Sequence, residues 1–313
     1  MQTGAGRNVM KKRSLLAGRQ KKEENPYQDL FKDFGGDALE CNFESTAHIE
    51  SCEEIFLNRF TEDDIRSMLH ETGLTENLNA LGYSKLHISI DLDEGNCHHL
   101  SIFHSQAQAE NLLINLRLSE ILYRPEVKLP LMKKRSSYNM VNIEWAQAAS
   151  PARKETPGRS LLPGQQKPGL GILSYLMLLM KAIGARISSD GFMETPDHFH
   201  LALMYSKTFR FFDPAREAQL QGIMRDLGEY DIADLAWGFT TGTIIETRTG
   251  KPAVYTPSAQ AFPLTDDLKR WFDSSWYRKH FNRAMGTGRY SFQKEKMEEI
   301  KNELLKKHKE EEL

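Results

Sequence analysis

An α/β (α+β) fold, a sheet flanked by helices, is predicted by three stretches of this 313-residue chain. Thr61-Glu62-Asp63-Asp64 opens a segment with Ile65, Met68 and Leu69 at helical spacing, with Thr61 as N-cap and Asp64 three residues on to answer it. Residues 86–92, 99–104 and 112–121 then alternate in character, as strands with one buried face do. Residues 163–212 form the third stretch. A glycine-containing loop leads into an apolar run, 172–182, that lacks Gly and Pro and reads as a buried helix.

The elements follow in order. Gly73 stops the first helix and residues 76–81 add another turn or two. Asp93-Glu94-Gly95-Asn96 makes a hairpin loop between the first two strands. In the third strand Leu112, Ile114, Leu116, Leu118 and Glu120 share one face, and Asn115, Arg117 and Ser119 the other. Residues 140–148 make a fourth strand. After the apolar helix, Gly184 ends it, residues 186–194 form a short strand, and residues 196–207 a second helix closed by Phe209, Phe211 and Phe212. Asp213-Pro214 opens a helix to about Gly228. Residues 237–246 and 253–256 read as a hairpin across Arg248-Thr249-Gly250-Lys251, the last two strands of the sheet. Residues 266–280 and 292–307 are helical, the latter with a narrow stripe of Met297, Ile300 and Leu304.

Composition bounds the function. With 40% hydrophobic and 27% charged residues the chain buries one substantial core. A formal net charge of −2 gives no global pull toward nucleic acid or membranes. Such partners would be met only by the first 25 residues, where Arg7, Lys11, Lys12, Arg13, Arg19, Lys21 and Lys22 face only Glu23 and Glu24. Residues 1–50 read as a basic disordered tail and an irregular segment, 51–265 as the domain, and 266–313 as a helical C-terminal extension. Cys41, Cys52 and Cys97 have neither disulfide-framework nor metal spacing, which points to a reducing cytoplasm. No apolar run approaches the roughly 20 residues that span a bilayer.

The loop Gln166-Lys167-Pro168-Gly169-Leu170-Gly171 places two glycines before the apolar helix. Glycines there let the backbone come close to an anion such as a diphosphate. The unsatisfied amides of the first helical turn donate to it, helped by the helix dipole. Rossmann and P-loop patterns are not met by this loop, since no third glycine is in register and its Lys167 precedes Pro168 rather than Ser or Thr.

This loop, helix, strand, helix order resembles the acetyl-CoA-binding half of the GNAT (acyl-CoA N-acyltransferase) superfamily. Gln166, Gly169 and Gly171 match its Q/R-x-x-G-x-G/A loop, and Ala202 and Tyr205 its Ala-x-x-Tyr element running into a Phe. The sequence departs from the pattern at Pro168, at Thr195-Pro196 where Asn-Pro is usual, and before Phe211, where no Gly stands. A further departure is the Pro-, Gly- and Arg-rich insertion 150–164 ahead of the loop. The resemblance implies a mixed, mostly antiparallel central sheet and an acetyl-CoA (acyl-CoA) cofactor. Its pyrophosphate would be held by Gln166, Lys167 and the amides of Gly169, Leu170, Gly171 and Ile172. It also implies transfer of an acetyl group to a primary amine. The same fold without turnover, as a coenzyme A-binding or structural module, or a nucleic-acid-associated protein acting through the basic tail, are the competing readings.

Acyl transfer to an amine needs an acid for the leaving thiolate and a base for the ammonium. Tyr205 stands where the resembled enzymes hold a tyrosine near the thioester sulfur. Glu144, between Ile143 and Trp145 in the fourth strand, is the expected base, its basicity raised by apolar neighbours. His198 and His200 lack a third ligand of suitable spacing, and His98 and His99 read as solvated at a hairpin end, so no metal is expected.

Overall fold

The structure is a computed structural model, and it describes residues 55–93, 95–125, 137–151, 162–163 and 169–311. The basic tail, Gln166, Lys167 and most of the 150–164 insertion lie outside the described residues.

The chain is a mixed α/β fold with a seven-stranded, mostly antiparallel sheet flanked by helices. Helix α1 (Glu62–Glu71) starts where the capping signal placed it. The Asp64 amide donates to Thr61 Oγ1 at 3.2 Å and the Thr61 amide donates to Asp64 Oδ2 at 2.9 Å. Ile65, Met68 and Leu69 are buried on one side, and α2 (Leu74–Ala80) follows after Gly73 turns the chain at φ +74°.

Strands β1 (Leu86–Leu92), β2 (His98–His104), β3 (Leu112–Tyr123) and β4 (Tyr138–Ala148) form an antiparallel meander. His98 is a correction to the solvated reading: it lies opposite Leu118 on the core face and is 3% exposed. Its Nδ1 accepts the Leu57 amide at 3.1 Å.

Helix α3 (Leu173–Gly184) buries Leu176, Leu179, Met180 and Ile183, a single stripe at helical spacing. It leads to β5 (Gly191–Glu194), which is shorter than expected and pairs with β4 in parallel. A Cβ on Gly191 would meet the Phe262 carbonyl oxygen at 2.5 Å, so only glycine lets β5 lie this close to its other neighbour. Helix α4 (Phe199–Tyr205) and β6 (Arg210–Phe211) come next, followed by α5 (Pro214–Leu227), with Asp213 capping the Ala215 amide.

The segment beyond α5 departs from expectation. Residues 237–246 are not a strand. Asp231 caps helix α6 (Ile232–Thr240), which buries Ala233, Leu235, Ala236 and Trp237. Only β7 (Ile244–Glu246) is extended, and it pairs with β8 (Lys251–Pro252) across a turn at Gly250. These two strands join β10 (Tyr290–Phe292) in a separate three-stranded sheet. The main sheet is completed instead by β6 and β9 (Gln260–Pro263), in the order β1-β2-β3-β4-β5-β9-β6. An apolar run as short as this one has no decisive period, and the cap and burial decide for helix.

Helices α7 (Asp266–Phe272) and α8 (Ser275–Thr287) bury Leu268, Trp271, Phe272 and Tyr277 in one cluster with Tyr138, Met140 and Met193 of β4 and β5. The Tyr277 hydroxyl donates to the Phe211 carbonyl at 2.8 Å. Helix α9 (Lys294–Glu311) ends the described chain, with Met297 fully buried. Among the described residues no helix is long and apolar enough to cross a membrane.

Candidate functional site

The site begins where the parallel pair opens. Strands β4 and β5 are in register only from Met140 to Asn142, opposite Gly191 to Met193. Beyond that point β4 continues to Ala148, while β5 ends at Glu194. At the far end of β4 the glycine loop returns beside it. Ala149 bridges Gly169, and the Leu170 amide donates to the Ala148 carbonyl at 3.3 Å.

Leu170 and Ile172 anchor this loop, being 3% and 1% exposed in the core that α3 shares with the meander. Gly171 between them sits at φ +75° with open space where a Cβ would be. Glycine is required there by the backbone conformation rather than by a close neighbour. Helix α3 has no side-chain cap. Among the described residues no acceptor meets the amides of Gly171, Ile172, Leu173 or Ser174. Those amides are donors available to an anion.

Tyr205, at the end of α4, lies in the same core cluster as Leu170 and Ile172 and is 9% exposed. No hydrogen bond ties its hydroxyl to another described residue. Burial, then the nearby Glu194 carboxylate, pushes its pKa well above the usual phenol range. Such a hydroxyl is protonated at all physiological pH values, as a general acid must be before it acts.

Glu144 is not in the apolar setting expected of a base. It is exposed, and it stands at a bulge where the β3–β4 register shifts between Arg117 and Leu118. Its Oε1 accepts the Ser119 hydroxyl at 2.6 Å. The bulge turns the carboxylate outward although both chain neighbours are apolar.

Glu194 is the group that sequence reasoning missed. It closes β5 at the opening of the parallel pair, is 6% exposed, and its Oε1 has no hydrogen-bond partner among the described residues. Burial raises its pKa to about 9. Its cross-strand neighbour Gln260 is fully buried; the amide nitrogen donates to the Ala202 carbonyl at 3.3 Å, and Oε1 lacks a partner among the described residues. Glu217 provides the contrast. It is similarly buried, yet it accepts from the Phe211 amide at 3.0 Å and from Gln221 at 3.1 Å. His200 lies buried near the start of α4, stacked on His198, and burial lowers its pKa to about 4. The available signal was an acidic residue inside Gly191-Phe192-Met193-Glu194, a run otherwise apolar on both faces.

No family model, no curated protein and no solved structure matches the chain.

Proposed function

We propose that the protein is an acyl-CoA-dependent N-acyltransferase of GNAT-like architecture that moves an acetyl group to a primary amine. The observation that carries this reading is the short β4–β5 parallel junction, opening beside Tyr205 at a buried Glu194 whose Oε1 has no partner among the described residues. A glycine loop at the head of α3 returns along the same β4 strand.

In this reading the free amides from Gly171 to Ser174 receive the diphosphate of the cofactor, with Gln166 and Lys167 alongside. The acyl group lies in the opening between β4 and β5. An entering ammonium favours ionised Glu194 by opposite charge. With its own proton released to solvent, the carboxylate takes a proton from the ammonium; the amine attacks the thioester carbonyl, the carbon–sulfur bond breaks as Tyr205 delivers a proton to the leaving thiolate, and the surplus N–H proton of the new amide returns to the tyrosinate. Glu144 remains a second base candidate on the outer face of the sheet.

Acetyl-CoA and coenzyme A are expected to raise the melting temperature of the purified chain, as any ligand that prefers the native state does. Gly171→Val, which forces a branched side chain to φ +75°, should abolish that shift. A melting curve unmoved by millimolar coenzyme A would overturn the reading.

A further inference from the structure

The β1–β2 hairpin gathers Asp93, Cys97 and His99. The Asp93 amide donates to the Cys97 carbonyl at 3.1 Å, so the two residues face each other across the hairpin. His99 is two positions past Cys97 in an extended segment and projects to the same face. Intervening His98 turns inward, as its burial shows. One carboxylate oxygen, the Cys97 sulfur and one ring nitrogen of His99 all lie within 4.8 Å of one another.

The geometry points to a divalent metal site made by Asp93, Cys97 and His99, best suited to zinc, with a fourth position left to water. Sulfur, imidazole nitrogen and carboxylate oxygen are the donors a borderline-soft ion accepts together, and three protein ligands plus water is an open tetrahedral set. Bonds of about 2.0 to 2.3 Å in a tetrahedron hold ligand atoms about 3.3 to 3.8 Å apart, so side-chain rotations of about 1 Å complete the shell.

The hairpin is built to hold Asp93 in place. Its Oδ1 accepts the amides of Gly95 at 2.8 Å and Cys97 at 2.9 Å, while Oδ2 stands 3.2 Å from His99 Nε2. Those amide bonds orient the carboxylate without using the oxygen that the ion needs. The amide of Cys97, then His99 and the amide of Gly95, hold its pKa below the usual carboxylate range against some desolvation. Burial and then the carboxylates of Asp93 and Glu144 push the Cys97 thiol up, with Arg117 opposing them. On binding, the S–H bond breaks, the sulfur–metal bond forms, and the proton leaves to solvent.

The test uses the full chain, stripped with a chelator and titrated with Co²⁺ as a coloured stand-in for zinc. Saturation at about one equivalent is expected, with a thiolate-to-cobalt charge-transfer band in the near ultraviolet that zinc then removes. Cys97→Ser should eliminate the band, and His99→Asn should weaken cobalt by about tenfold or more. Asp93→Asn, which keeps an acceptor for the hairpin amides, should weaken it likewise. The double variant Cys41→Ser/Cys52→Ser should keep the band. No band in the unaltered chain, a band that survives Cys97→Ser, or one lost with Cys41 and Cys52 would each overturn the proposal.

Discussion

Strands β4 and β5 run side by side for only three residue pairs, and each carries a glutamate past the point where they part. Glu144 on β4 has apolar chain neighbours and an exposed carboxylate held by the Ser119 hydroxyl. Glu194 on β5 is 6% exposed with an oxygen that no described residue satisfies. Neighbours along the chain do not set a carboxylate's environment. The strand's position in the sheet does: β4 lies against solvent on its outer face, whereas β5 is covered on both faces and has β9 beside it. An unpaired buried carboxyl is costly, and groups with strongly shifted pKa values cluster at functional sites.

The largest effect expected of this contrast is in stability against pH. The folded chain keeps the Glu194 proton up to about pH 9, whereas the unfolded chain releases it near 4.5. Its contribution is therefore complete below 4.5 and declines as pH rises toward 9. His200, lowered to about 4 from 6.5, acts in the other direction and only below about pH 6.5. Between pH 7 and 9, urea unfolding of the unaltered chain should lose about 2 to 3 kcal/mol more than that of Glu194→Gln. Equal slopes would break the contrast.

Tyr205→Phe comes next in size. Its hydroxyl has no partner to leave unsatisfied among the described residues, so the melting temperature should barely move. With a competent acceptor amine, turnover should fall by at least about tenfold at unchanged acetyl-CoA affinity. Unchanged turnover would return Tyr205 to a purely packing role.

The smallest effects belong to the exposed carboxylate. Glu144→Gln keeps an acceptor for Ser119 and should change stability by less than about 0.5 kcal/mol, while Ser119→Ala should cost about 0.5 to 1.5 kcal/mol. A tenfold fall in turnover with Glu144→Gln, measured beside an active Glu194→Gln, would move the base from β5 to β4.

The Thr61 capping box, the meander from β1 to β4 and the stripe on α3 were legible because each rests on contacts within a few residues or on alternation along one strand. Local pattern failed at residues 237–246, where a short apolar run fits helix or strand until burial and the Asp231 cap decide. It failed again for the site. Tyr205 was singled out through a resemblance carried by local motif, whereas Glu194 looks like any other acid until the fold buries it beside β9. Asp93, Cys97 and His99 show no metal spacing along the chain, because a hairpin and not a helical turn brings them together. For α1, the meander and α3 the sequence alone determined which faces are buried, since hydrophobic periodicity is a property of the strand or helix itself. Tertiary structure alone decided which polar groups lose water, because desolvation depends on what packs above a residue from distant parts of the chain.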